Sequence, residues 1–141
     1  MFASPRNYAK SYADIGVETG VSSADPHRLV LMLFDGALQA IATASRHMRE
    51  KDVAGKVKAV SRAIDIINDG LKACLDVQAG GELAERLDAL YDYMSTRLIY
   101  ANLRNDQPTL DEVSRLLKEL KGAWEEIGKK PAVHSENRVA A

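Results

Sequence analysis

One cysteine, Cys74, is too few for an internal disulfide or for a zinc site built from several thiolates. There are only 3 histidines, His27, His47 and His134, and none has a glutamate three residues before it, which excludes the Glu-x-x-His pairs of a di-iron or di-manganese bundle. His-Glu-x-x-His, a Walker-type glycine loop and a Gly-x-Ser-x-Gly elbow are all missing. Charge of one sign is not in excess: 19 Lys and Arg stand against 20 Asp and Glu, for a net −1. Nothing in that balance attracts nucleic acid or an anionic membrane. No apolar run approaches the ~20 residues of a membrane span, and the polar first ten residues do not read as a signal peptide. The expectation is a cytoplasmic protein with no catalytic residues, no metal and no cofactor.

What is present is helical periodicity. Apolar content is 46% and charged content 28%, ordinary for one globular domain of 141 residues. Asp25-Pro26 supplies a capping carboxylate and a proline at the first helical position, opening a helix to about Glu50 with Val30, Leu33, Ala37, Ile41, Ala44 and Met48 as its stripe. Asp52 caps a second helix to about Val77, whose seam reads Val53, Val57, Val60, Ile64, Ile67, Leu71 and Cys74. Gly80-Gly81 breaks the chain, and a third helix from Glu82 to about Arg104 carries Leu83, Leu87, Leu90, Met94, Leu98 and Ala101. After a loop at 105–108, Thr109-x-x-Glu112 matches a capping box ahead of Leu110, Val113, Leu117, Leu120, Trp124 and Ile127, with Gly128 and Pro131 as stops. Four long helices on short loops predict an all-α, up-down-up-down antiparallel bundle over 25–128. An N-terminal arm over 1–24 and a tail over 129–141 flank it.

Two helices carry more apolar surface than one seam needs. On a wheel of ~100° per residue, the second helix has a flanking stripe of Ala59, Ala63, Ile66, Gly70, Ala73 and Val77, and the third has Ala89, Tyr93, Thr96, Tyr100 and Leu103. Small residues rimmed by aromatics would form a shallow trough for an amphipathic client helix. The expected groove is therefore Ala63, Ile66, Gly70, Ala73 and Val77 with Tyr93, Tyr100 and Leu103. The competing reading of the same stripe is a central helix that touches two neighbours. In the arm, Tyr8 and Tyr12 lie four apart, on one face of a short helix, with Ile15 beyond them. His47, among Arg46, Arg49 and Lys51, keeps a histidine phosphotransfer bundle as the alternative function, and a self-assembling structural bundle is a third class.

Tyr8-x-x-x-Tyr12, Pro26-x-x-Leu29 with Leu33-Phe34-Asp35-Gly36-Ala37-Leu38, Lys58-Ala59, Ile66-Ile67, Leu71, Leu75-Asp76, Gly80-Gly81-Glu82-Leu83-Ala84, Leu90-Tyr91-Asp92-Tyr93-Met94, Leu98-x-x-Ala101-Asn102 and Ala123-Trp124 follow in order along the chain. In that order and spacing the sequence resembles the flagellar protein FliS family, the export chaperones of flagellin. One departure is Phe34, where the family commonly has tyrosine; the ring is kept and only the hydroxyl lost. The resemblance implies a four-helix antiparallel fold with the arm, through Tyr8 and Tyr12, lying over a hydrophobic groove. It implies as client the C-terminal segment of flagellin, shielded from premature polymerisation and delivered to the export gate protein FlhA of the flagellar type III apparatus. It also links the family to the anti-sigma factor FlgM.

Overall fold

The computed structural model describes residues 25–75 and 77–129, with only the backbone described at 77–79. Helix α1 spans Pro26–Arg49, and α2 spans Val53–Asp65 and continues as a π-helical turn over Ile66–Lys72. Helix α3 spans Val77–Arg104 and α4 spans Gln107–Lys129.

The local signals act as expected at most helix ends. The Asp25 carboxylate accepts the Arg28 N–H at 2.8 Å, and the Asp52 carboxylate accepts that of Gly55 at 3.0 Å, each satisfying a donor with no helical partner. Lys51, at φ 61°, makes the α1–α2 connection tight, and Asn105, at φ 52°, turns the chain out of α3. Gly81, at φ 57°, breaks α3 near its start, as the glycine pair predicts.

The start of α4 differs from the expected capping box. The helix begins at Gln107, and the cap is Asp106, whose carboxylate accepts the Thr109 hydroxyl. Glu112 does not turn back to the cap. It reaches across to α3, where it accepts the Tyr93 hydroxyl at 2.5 Å and Arg97 Nε at 3.0 Å. At the far end α4 runs through Gly128 to Lys129. Gly128 is where the ring of His27 comes closest; a Cβ there would lie 2.3 Å from the imidazole.

Cross-helix polar contacts fix the antiparallel order. His27 at the start of α1 meets Trp124 near the end of α4, while Ser45 and Gln107, at the opposite ends, exchange bonds of 2.6 and 2.9 Å. Lys56 at the start of α2 donates to the Asn102 carbonyl of α3 and to the side chain of Asn105 just beyond it, at 2.8 and 2.7 Å. Further along, Ser95 of α3 donates to Asn68 in the π turn. Each helix packs on its two sequence neighbours, and α4 closes the ring on α1. Leu33, Ile66, Ile67, Met94, Leu98, Leu110 and Leu117 fill the interior with negligible exposure. Each such side chain contributes roughly 1.5–3 kcal/mol through the area it removes from water.

Helix α2 corrects the expected seam. Val53 and Val57 are 65% and 42% exposed, whereas Lys56, Ala59, Val60, Ala63, Ile66, Ile67, Gly70 and Leu71 are buried. Two causes combine. The hydrogen bonds of Lys56 turn its turn of helix toward α3 and carry the two valines to the rim. The π turn then inserts extra backbone, so that both adjacent pairs, Ile66-Ile67 and Gly70-Leu71, reach the interior. Helix α1 is long and apolar enough, by length and composition alone, to cross a membrane, with mean hydropathy 1.2 over its most apolar stretch, as the core helix of a bundle can also be. Its buried residues, from Leu33 to Met48, are those that join the bundle core.

The Tyr93–Glu112–Arg97 cluster yields a pH prediction. The Tyr93 hydroxyl, and after it Arg97, holds the Glu112 carboxyl below its ordinary 4.5. A depressed carboxyl contributes stability that is complete above the unfolded-state value and disappears as pH falls through the folded-state value. Glu112→Gln is therefore expected to melt below wild type at pH 7, with the gap closing as pH falls below 4.5 and through the folded-state value. Melting curves at both pH values check this; a gap that stays constant with pH would contradict it.

Candidate functional site: an apolar cleft at one end of the bundle

The ends of four helical segments meet where α1 begins and α4 finishes, and they enclose a cleft of about 220 Å³. Helix α1 supplies Val30 and Phe34, and the end of the π turn and the segment after it supply Leu71, Cys74 and Leu75. From α3 come Leu83, Leu87 and Tyr91, and from α4 Leu120, Ala123, Trp124 and Ile127. The lining is almost wholly hydrocarbon and aromatic. Leu83 and Ile127 are 66% and 43% exposed at its mouth, while Phe34, Leu71 and Tyr91 form a buried floor. Burial pushes the Tyr91 phenol far above its usual range, so it stays neutral. Apart from the Cys74 thiol and the Tyr91 hydroxyl the lining offers no polar side chain beyond the indole N–H, and the cleft's chemistry is that of a hydrophobic receptor.

Why the cleft exists follows from the helix ends. The seams of α3 and α4 continue outward as Leu83, Leu87, Leu120, Trp124 and Ile127, but α2 has already ended at Lys72. The helix is also broken at Gly81, two residues before Leu83, so the outermost seam residues stand where neither α2 nor an unbroken α3 continues. Trp124 and His27 fasten one side. The indole N–H donates to the His27 carbonyl at 3.0 Å, His27 Nε2 donates to the Trp124 carbonyl at 2.7 Å, and the two rings stack at 5.0 Å. Trp124→Phe keeps the stack but removes the indole bond to the His27 carbonyl, an expected loss of about 1 kcal/mol, readable by chemical denaturation.

The residues expected to form a client trough fall into two separate groups. Ala63 and Ile66 are fully buried members of the core, and Gly70 is buried beside them in the π turn. They are corrected from groove to interior, because α2 packs on both α1 and α3 and its second apolar stripe covers one of those contacts. Ala73 is half-buried in the turn that follows, and the side chain of Val77 lies outside the described residues. Tyr93, Tyr100 and Leu103 are exposed on α3. The Tyr93 hydroxyl bonds to α4, and Tyr100 lies under the guanidiniums of Arg97 and Arg104 at 5.0 and 6.0 Å. Tyr93 and Tyr100 thus sit on the α4 side of α3, and the two stripes do not make one trough. Tyr8, Tyr12 and Ile15 lie outside the described residues.

Sequence reasoning missed the cleft because its walls read as ordinary seam. The available signal was the surplus length of the α3 and α4 seams beyond the end of α2. His47 is not the free surface imidazole a phosphotransfer bundle presents: its Nδ1 stands 3.0 Å from Asp52 and its Nε2 3.4 Å from Arg46. Among the described residues, no group of three His, Cys, Asp or Glu is placed to hold a metal ion.

Comparison with known proteins agrees with the fold. The family described as flagellar protein FliS matches residues 8–131. The flagellar secretion chaperone FliS of Salmonella typhimurium is 50% identical over 121 residues, covering 86% of this chain and 90% of the relative. That of Escherichia coli K12 is 46% identical over 117 residues, covering 83% and 86%. The flagellar secretion chaperone FliSB of Pseudomonas aeruginosa is 45% identical over 118 residues, covering 84% and 93%. With the family matched over most of the chain and relatives this similar, the chain belongs to the FliS family of flagellar secretion chaperones, a family of chaperones and not of enzymes.

Proposed function

We propose that this chaperone holds the C-terminal segment of flagellin in the cytosol, keeps it from polymerising early and passes it to the flagellar type III export apparatus. The observation that carries the reading is the open apolar cleft, with Leu83 and Ile127 exposed at its mouth. A client segment that is unfolded when free loses conformational entropy on binding, so it needs apolar area to offset that loss. The cleft offers such area, and exposed Tyr93, Tyr100 and Leu103 add separate apolar surface further along α3, the two tyrosines with amphipathic rings that tolerate water. Ala73 stands near the cleft, one residue before Cys74.

The arm over 1–24, through Tyr8, Tyr12 and Ile15, is proposed to cover the receptor or to touch the client or the gate protein FlhA, with FlgM as a further partner. Residues 25–128 act as the receptor domain and 129–141 as a tail. With no nucleotide motif to drive release, handover proceeds by competition. A pull-down of intact flagellin against flagellin lacking its last ~40 residues, a length that suits a few helical turns, tests the reading. Retention of intact flagellin alone supports it; equal retention of both sinks it.

A further inference from the structure

The floor of the apolar cleft carries one polar group that the bundle itself does not use. Tyr91 is only 4% exposed, a member of the core, and it lines the cleft beside Phe34 and Leu71. The lining is otherwise hydrocarbon, and no charged side chain stands in it. Two other lining residues have polar side-chain atoms, and both are engaged. The Trp124 indole N–H donates to the His27 carbonyl at 3.0 Å, and Cys74 has a contact of its own besides being only a weak hydrogen-bonding group. Tyr91 differs from both. Among the described residues its hydroxyl has no hydrogen-bond partner, yet its oxygen is not sealed in. The ring is enclosed by core side chains everywhere except along the cleft, so the hydroxyl opens there. Burial keeps the phenol protonated, and it therefore presents an O–H donor.

We propose that Tyr91 is the specificity-determining residue of the cleft, its hydroxyl donating a hydrogen bond to one uncharged acceptor that the client segment carries among apolar side chains. The inference rests on the client reading above and adds which segments fit. A wholly apolar segment would cover the hydroxyl and leave it without a partner, at the full desolvation cost of a buried polar group. A carboxylate is no better suited, because no cation lines the cleft to offset the burial of a charge. An ammonium or guanidinium offers no acceptor at all. What remains is a neutral amide, a hydroxyl, or a backbone carbonyl left open at a helix end. Apolar area then sets how strongly a segment is held, while Tyr91 sets which residue of it stands over the floor. A buried group that must be hydrogen-bonded discriminates against ligands lacking the partner more sharply than a hydrocarbon wall discriminates by size.

The test is isothermal titration of the full-length protein with the flagellin C-terminal segment. Tyr91→Phe removes only a hydroxyl that makes no bond in the free protein, so the variant should melt no lower than wild type. Its affinity for the segment should fall about tenfold, because the client's acceptor is then buried unpaired. Each Asn, Gln, Ser and Thr of the segment is next replaced, one at a time, by an apolar residue of similar size and titrated into both proteins. A position whose replacement weakens binding to wild type but not to Tyr91→Phe is the partner side chain. If Tyr91→Phe weakens binding and no position couples to it, the acceptor is a backbone carbonyl, which also meets the proposal. Equal affinity of wild type and Tyr91→Phe overturns it, and so does a lower melting temperature, which would mark the hydroxyl as structural. Leu83→Glu, titrated alongside, separates the two readings. If it weakens binding while Tyr91→Phe does not, the client still uses the cleft and only the Tyr91 contact falls. A segment that fails to bind wild type removes the client reading and this inference together.

Discussion

Gly70→Arg should unfold the bundle or bring it close to unfolding at room temperature. Gly70 is buried in the π turn, between the core residues Ile67 and Leu71 and one turn from Ile66. An arginine there either buries a guanidinium beside the apolar Ile66, Ile67 and Leu71 or forces the π turn out of the core. Either outcome costs several kcal/mol, against a total stability of about 5–15 kcal/mol for a domain of this kind. The substitution also removes a helical glycine, but the ~1 kcal/mol of propensity so gained is too small to compensate. Circular dichroism melting of the purified variant reads the effect. A variant that melts with wild type would show that position 70 faces open space and would restore the α2 stripe as a candidate client surface.

The second large effect separates binding from folding. Leu83→Glu and Ile127→Glu place carboxylates at the mouth of the apolar cleft, at side chains 66% and 43% exposed. Because little core packing is lost, melting temperatures should stay within a few degrees of wild type, as is usual for surface changes. Affinity for the flagellin C-terminal segment should fall sharply. Each apolar side chain covered by a client is worth roughly 1.5–3 kcal/mol, so one substitution removes about ten- to a hundredfold in affinity. Isothermal titration with the isolated segment measures it. Unchanged affinity in both variants would remove the cleft from the client interface, whereas loss of affinity together with loss of fold would show that the mouth is structural.

Much of the architecture was written in local chemistry. Asp25-Pro26, Asp52 and Gly80-Gly81 mark helix boundaries because a capping carboxylate, a fixed φ or a positive φ acts within a few residues, whatever the rest of the chain does. The interior stripes of α1 and of the first half of α4 were legible for a similar reason: each of these helices has one apolar face, and a single face has only one way to turn. The likeness of ordered short motifs to the FliS family was legible too, and the family assignment bears it out.

Tertiary structure decided the rest, at positions where two faces were chemically equivalent or where a residue's partner was remote in sequence. Helix α2 is apolar on two sides, so periodicity alone could not say whether Val53 and Val57 or Ala59 and Ala63 went inside. Lys56, reaching Asn102 and Asn105, and a π turn at Ile66–Lys72 settled it. Glu112 looks like a capping residue until Tyr93 and Arg97, on another helix, offer it better donors. The apolar cleft is the clearest case. Leu83, Leu87, Trp124 and Ile127 have the spacing of core residues, and they are receptor walls because α2 stops at Lys72 and α3 is broken at Gly81. A seam records which residues share a face, but whether that face meets a neighbour depends on where another helix ends.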